Sequence, residues 1–289
     1  MLLGTVRRFP LGAYFAVAYG LSLLAAGVIG LPARSVSPSS FVMFPVLVIG
    51  VGSAGVALTA ATRGREGLAD LGRRFRRWRL GRWYLVLLVP PLGILAVVTV
   101  FRFLVSPGFG SALVPFNMTL GFLAFGLAVG LLSGFTEEMG WTGFAYPRLS
   151  PRFGALAGAV LLGLLWGIWH FPVIDSLGAA SPHGAYLPAY FGSFILAMMA
   201  MRVLIAWVYS NTQSVLAAQL LHASSTASLV IVSPAHVTAA QEALWYIAYA
   251  GLLWILVAIV IARFGASLTG RRAAATSADA LVTEQVLAS

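Results

Sequence analysis

LGFLAFGLAVGLLSGFTEEMGWTGFAYPRL, residues 120–149, is a long apolar run that ends in two adjacent glutamates, Glu137 and Glu138. Such a run reads as a membrane helix, and a carboxylate carried to membrane depth is costly unless it is paired or faces a wet cavity. The other six acids of the chain fall in loops, at segment ends or in the tail. Glu137 and Glu138 are therefore the first candidates for chemistry.

The rest of the chain has the same apolar character. Of 289 residues 60% are hydrophobic and only 9% charged, with a mean hydropathy of +0.93. A soluble domain carries about a quarter charged residues, so this composition is that of a polytopic membrane protein. A span needs roughly 20 apolar residues. Eight are expected, at 11–31, 41–62, 83–105, 117–138, 154–171, 186–209, 212–232 and 243–264. The expected fold class is an all-α helix bundle, with a single membrane domain over 1–265 and a flexible tail over 266–289.

Arginine supplies every basic residue, and its placement is lopsided. Fifteen arginines, including the eight between Arg63 and Arg82, fall on one side if the spans number eight, and Arg34 alone lies in the opposite loops. The positive-inside rule then puts both termini in the cytoplasm. The net charge of +10 reads as a topology signal with some attraction for anionic lipid, and no soluble basic face suggests a nucleic acid partner. Within the basic segment 63–82, Leu68, Leu71, Phe75 and Trp78 form the apolar stripe expected of a helix lying on the cytoplasmic leaflet. The first apolar segment lacks a small-residue cleavage site and reads as an uncleaved span. Cysteine is absent, which excludes disulfides, a cysteine protease and a cysteine-ligated metal.

Polar residues inside the spans narrow the function. Consecutive helical residues point about 100° apart, so Glu137 and Glu138 cannot both face one substrate atom. His170 follows Trp166 by one turn in span five, and His222 precedes Thr226 by one turn in span seven. A carboxylate pair and two imidazoles on three apolar helices are expected to converge in the bundle interior. A carboxylate in a dry site can take a proton from water, while imidazole shares that water or donates to a developing oxyanion. The hydroxyl of Thr226 adds a second donor. These groups could hydrolyse an amide without a covalent intermediate. Glu137, His170 and His222 are also a candidate Zn²⁺ set with a position open to water, although no HExxH motif is present.

The run resembles the CAAX-protease and bacteriocin-processing family, the type II CAAX prenyl endopeptidase group of eight-span intramembrane proteases. That family carries EExxxR, FxxxH and HxxxN on successive helices. Glu137-Glu138 with GWTGFAYPRL is similar to the first, Trp166 to His170 to the second, and His222 to Thr226 to the third. Threonine at 142 stands where the family has arginine, Trp166 where it has Phe, and Thr226 where it has Asn. The likeness covers about 117–232, the expected catalytic core. It implies that Glu137 and His170 activate water, that His222 and Thr226 stabilise the oxyanion, and that Glu138 assists, with Arg148 or Arg202 as its through-space partner. Trp141, Thr142, Trp166 and Trp169 are expected on the cavity wall.

The implied activity is hydrolysis of a peptide bond in a membrane-associated or prenylated protein or peptide. The absence of lysine and the wealth of Ala, Gly and Arg suggest a bacterial cell membrane. The rival classes are a transporter or proton relay using the same groups, and a non-catalytic scaffold or immunity protein. No pair of interrupted, inverted segments favours transport. Span five poses a geometric demand, because His170 counts as deeper than Glu137 unless that helix tilts, starts late or first dips inward. His183, His236, Asp175 and Glu242 are expected to be solvated in or near outer loops.

Overall fold

A computed structural model describes residues 2–29, 38–110, 120–234 and 236–269. Arg34, Arg271, Arg272 and the tail from 270 onward lie outside the described residues. Among those described, the regular elements are helices and no β-strand occurs. In chain order they are α1 (Leu2–Arg8), α2 (Pro10–Ile29), α3 (Pro38–Phe75), a 3₁₀ segment (Gly81–Leu88), α4 (Val89–Leu104), α5 (Leu120–Gly140), a π-turn (Trp141–Ala145), α6 (Tyr146–Phe153), α7 (Ala155–Trp169), α8 (Leu187–Thr212), α9 (Val215–Val232) and α10 (Ala239–Phe264). Short 3₁₀ turns at Ile174–Ser176 and Gly184–Tyr186 lie between α7 and α8.

Among the described residues, six helical segments are long and apolar enough to cross a membrane: Leu47–Phe75, Gly81–Leu104, Leu120–Phe153, Gly184–Thr212, Val215–Val232 and Ala239–Phe264. Pro10–Leu24 and Ala155–Trp169 are shorter apolar helices. The protein is a multi-pass membrane helix bundle. Span five is the main departure from expectation. Its 15 helical residues rise about 22 Å, short of a hydrocarbon core about 30 Å thick.

The depth problem is resolved by the helix before it. The helical path of α5 continues through the π-turn and α6 to Phe153, and the chain reverses at Gly154, whose φ is +84°. Glu137 therefore precedes the reversal by 17 residues and His170 follows it by 16. Packing of α6 on α7 closes this hairpin and returns His170 toward Glu137.

Within the bundle α5 lies along α9, α7 on α8, α8 on α10, and α3 against both α2 and α5. Transmembrane helices approach closely where small residues line the seam, since apolar lipid offers no drive for apolar side chains to associate. Gly126, Gly130 and Gly134 form that seam on α5. A Cβ at Gly130 would sit 2.5 Å from the Ala223 carbonyl oxygen and 2.9 Å from the Ala227 nitrogen, both backbone atoms of α9. Gly130→Val is thus expected to destabilise the bundle by about 1–3 kcal/mol through overpacking. The check is a lowered thermal midpoint in detergent, against Gly251→Val, where nothing lies within 4 Å, as a control that melts with the wild type.

The basic segment differs from the expected surface helix. The helix stops at Phe75, so Trp78, 60% exposed, lies beyond it. Leu71 is buried in the core while Leu68 is exposed, so the stripe splits between protein and surface. Arg74 turns inward with Leu71. It donates from Nη1 to the Tyr209 hydroxyl at 2.9 Å and from Nη2 to the Gly143 carbonyl at 3.1 Å, and Nε lies 3.2 Å from Asp70. This anchoring by Leu71 and Arg74 pulls the segment onto the bundle.

Candidate active site

Glu137 and Glu138 occupy the last turn of α5, immediately before the π-turn. A π-turn widens the helix by one residue and frees carbonyls from the regular ladder, a device common at functional sites. Side chains take up the slack here. Arg74 donates to the Gly143 carbonyl, and Arg148 donates to the Phe144 carbonyl at 2.8 Å. The arginine-rich segment and the site thereby share one backbone distortion.

The two carboxylates diverge. Glu138, fully buried, is bound as an anion. Arg202 of α8 grips it in a fork, with Nη2 2.6 Å from Oε1 and Nη1 2.9 Å from Oε2. His222 Nδ1 lies 2.8 Å from Oε1, and the Thr142 hydroxyl donates to Oε2. Arg202 Nη1 also reaches the Thr142 oxygen at 3.3 Å. A buried ion pair repays desolvation only when its remaining lone pairs are bonded, and this one is bidentate with two further partners. Arg148 does not reach the pair; its other nitrogen reaches Thr62 and its guanidinium lies over Phe144. Arg202 is the partner because α8 carries it directly against α5's last turn.

Glu137 faces a cavity of about 400 Å³ that Glu138 does not line. Its Oε2 accepts from the indole N–H groups of Trp141 at 3.0 Å and Trp166 at 2.9 Å. Trp166 is the hub of the site, with the Arg202 guanidinium 4.6 Å from its ring and the His222 ring 4.8 Å away at 68°. His170, one turn on, sits just past the end of α7 against Trp169 and Phe194. Its Nδ1 is 2.9 Å from the Trp166 carbonyl. A carbonyl can only accept, so Nδ1 carries the proton and Nε2 remains as an acceptor in the neutral ring. His170, His222, Thr226, Trp166 and Trp169 all line the Glu137 cavity, along with Ser133 and Ser225.

Two residues expected on the wall are elsewhere. Trp141 and Thr142 are buried behind the carboxylates and do not line the cavity, because their i to i+4 spacing turns them back onto Glu137 and Glu138. Among the described residues no three His, Asp or Glu side chains are grouped to hold one ion.

A second polar group, expected to be solvated, is buried. His183 is 1% exposed and Glu242 2% exposed. His183 lies between Glu242 (Nε2, 3.2 Å) and Asp175 (Nδ1, 3.3 Å). Glu242 lines the same cavity as Glu137. Loop composition suggested solvent, and no local pattern links residues this far apart; a carboxylate in the first turn of α10 is the one signal available. His236 is exposed, as expected.

Residues 119–228 match the family model described as "Type II CAAX prenyl endopeptidase Rce1-like". The CAAX prenyl protease 2 of Methanococcus maripaludis is 28% identical over 137 residues, which is 45% of this chain and 50% of that protein. The likeness is to that family over residues 119–228. The matched segment contains α5 to α8 and most of α9, and so holds Glu137, Glu138, His170, Arg202, His222 and Thr226 together. The match spans half the length of the curated relative. Glu242 lies outside the Rce1-like segment.

Proposed function

We propose that the protein is an intramembrane endopeptidase that hydrolyses a peptide bond of a membrane-associated protein or peptide, lipidated substrates included. One observation carries this reading: a carboxylate and two imidazoles, from α5, the end of α7 and α9, line a single cavity in an otherwise apolar bundle. The positive-inside rule supports a cytoplasmic side for the arginine-rich connections.

The chemistry follows from the bonding. Water bound between Glu137 and His170 Nε2 gives a proton to Glu137 as its oxygen attacks the carbonyl carbon. The tetrahedral oxyanion is met by the His222 ring, held through Nδ1 by Glu138, and by the Thr226 hydroxyl. Glu137 then returns the proton to the amide nitrogen, and the carbon–nitrogen bond breaks. Glu138 orients His222 through Nδ1, and Trp141 and Trp166 hold the Glu137 carboxylate so that Oε1 stays free of indole.

Comparing protein N-termini in cells carrying the wild type or Glu137→Ala tests activity and finds substrates together. New termini in the wild type alone are expected; identical sets would remove the protease reading. Purified protein is further expected to cleave after chelation, with zinc well below one per chain. Stoichiometric zinc whose removal abolishes cleavage would overturn direct activation by the carboxylate.

A further inference from the structure

Beyond the groups assigned to hydrolysis, the cavity holds one more carboxylate, that of Glu242 in the first turn of α10. Its bonds run to the connection between α7 and α8. Oε1 accepts from the Ala179 N–H at 3.0 Å, and Oε2 accepts from the Ala180 N–H at 2.8 Å. His183 reinforces the grip from Nε2 and is itself stacked on Tyr190 of α8, with ring centroids 3.7 Å apart. Gly178 makes the approach possible. Its φ is +87°, and a Cβ there would lie 2.8 Å from the Glu242 carboxyl carbon.

The same connection forms part of the cavity lining, through Val173, Leu177, Gly178 and Ala179. Regular structure in it is limited to the two short 3₁₀ turns, so little backbone bonding of its own fixes the 177–180 stretch. Beside the His183 ring the carboxylate binds two main-chain N–H groups, and it thereby sets where that backbone stands.

We propose that Glu242 is a specificity-determining positioning residue, clamping the 177–180 backbone as a cavity wall and so limiting the bulk of the substrate group admitted beside Glu137. The substrate part of this inference rests on the protease reading; the clamp itself does not.

The chain has no cysteine, so Val230→Cys places a single thiol on the cavity lining. Its labelling by a maleimide is measured alone and combined with Glu242→Gln or Gly178→Ala. Release of the clamp opens the wall locally, and labelling at least about fivefold faster is expected in both combinations. In parallel, peptides with graded apolar bulk beside the scissile bond are cleaved by the wild type and Glu242→Gln. The ratio of KM between the bulkiest and smallest peptides is expected to fall about tenfold in Glu242→Gln, with the change on KM and not on kcat. A merely structural role would lower stability and rate for every peptide and leave that ratio alone. Unchanged labelling in both folded variants overturns the clamp, whatever the kinetics show. If the wild type cleaves no peptide, the protease reading fails and the labelling alone decides the clamp.

Discussion

Glu137→Gln is expected to lower kcat by about 10²–10⁴-fold, the usual contribution of a general base, while leaving the bundle folded. The substitution is nearly isosteric, and the amide oxygen can still accept from Trp141 and Trp166, so the local bonding survives. What disappears is the ability to take a proton from water. The measurement pairs turnover of a peptide substrate in detergent or lipid with the thermal midpoint of the same preparation. A variant that melts with the wild type and turns over within about threefold of it would show that Glu137 is not the base.

Arg202→Met is expected to be the most destabilising single change in the site. It removes both nitrogens of the fork and leaves Glu138, fully buried, with Thr142 and His222 alone. Removing one partner of a buried ion pair costs about 3–5 kcal/mol, because the remaining charge stays desolvated. A drop on the order of 10 °C in the thermal midpoint follows. Adding Glu138→Gln to Arg202→Met should recover much of the loss, since an uncharged amide needs less compensation. If Arg202→Met alone melts with the wild type, the fork does not contribute materially to the stability of the bundle.

The helix bundle was legible because lipid demands long apolar runs, and those runs dominate the composition. Helix ends were less so. Hydropathy sees only the apolar part of a helix, and α3 resumes after a kink at Gly64 (φ +57°) and runs to Phe75, while the α5 path runs to Phe153. That continuation is what brings His170 level with Glu137. Spacing along the chain pointed to Glu137, His170 and His222 as neighbours, and one cavity collects them. Choosing between Arg148 and Arg202 was beyond the sequence, because the answer lies in where α8, packed on α7, α9 and α10, sends its Arg202 side chain. The burial of Glu242 is not legible in the sequence, because it bonds the backbone amides of Ala179 and Ala180 and no side-chain pattern advertises an amide.

The fork between Glu138 and Arg202 also has a consequence for how the protein is made. The two residues are 64 positions apart, and His222 follows Glu138 by 84. At a synthesis rate of about 5–20 residues per second, α5 enters the bilayer seconds before its counter-charge exists. Until then Thr142 is the one member of the fork's bonding set already synthesised beside Glu138. The site is completed by the arrival of α8 and then α9, so biogenesis depends on the late helices to make the early one tolerable in lipid.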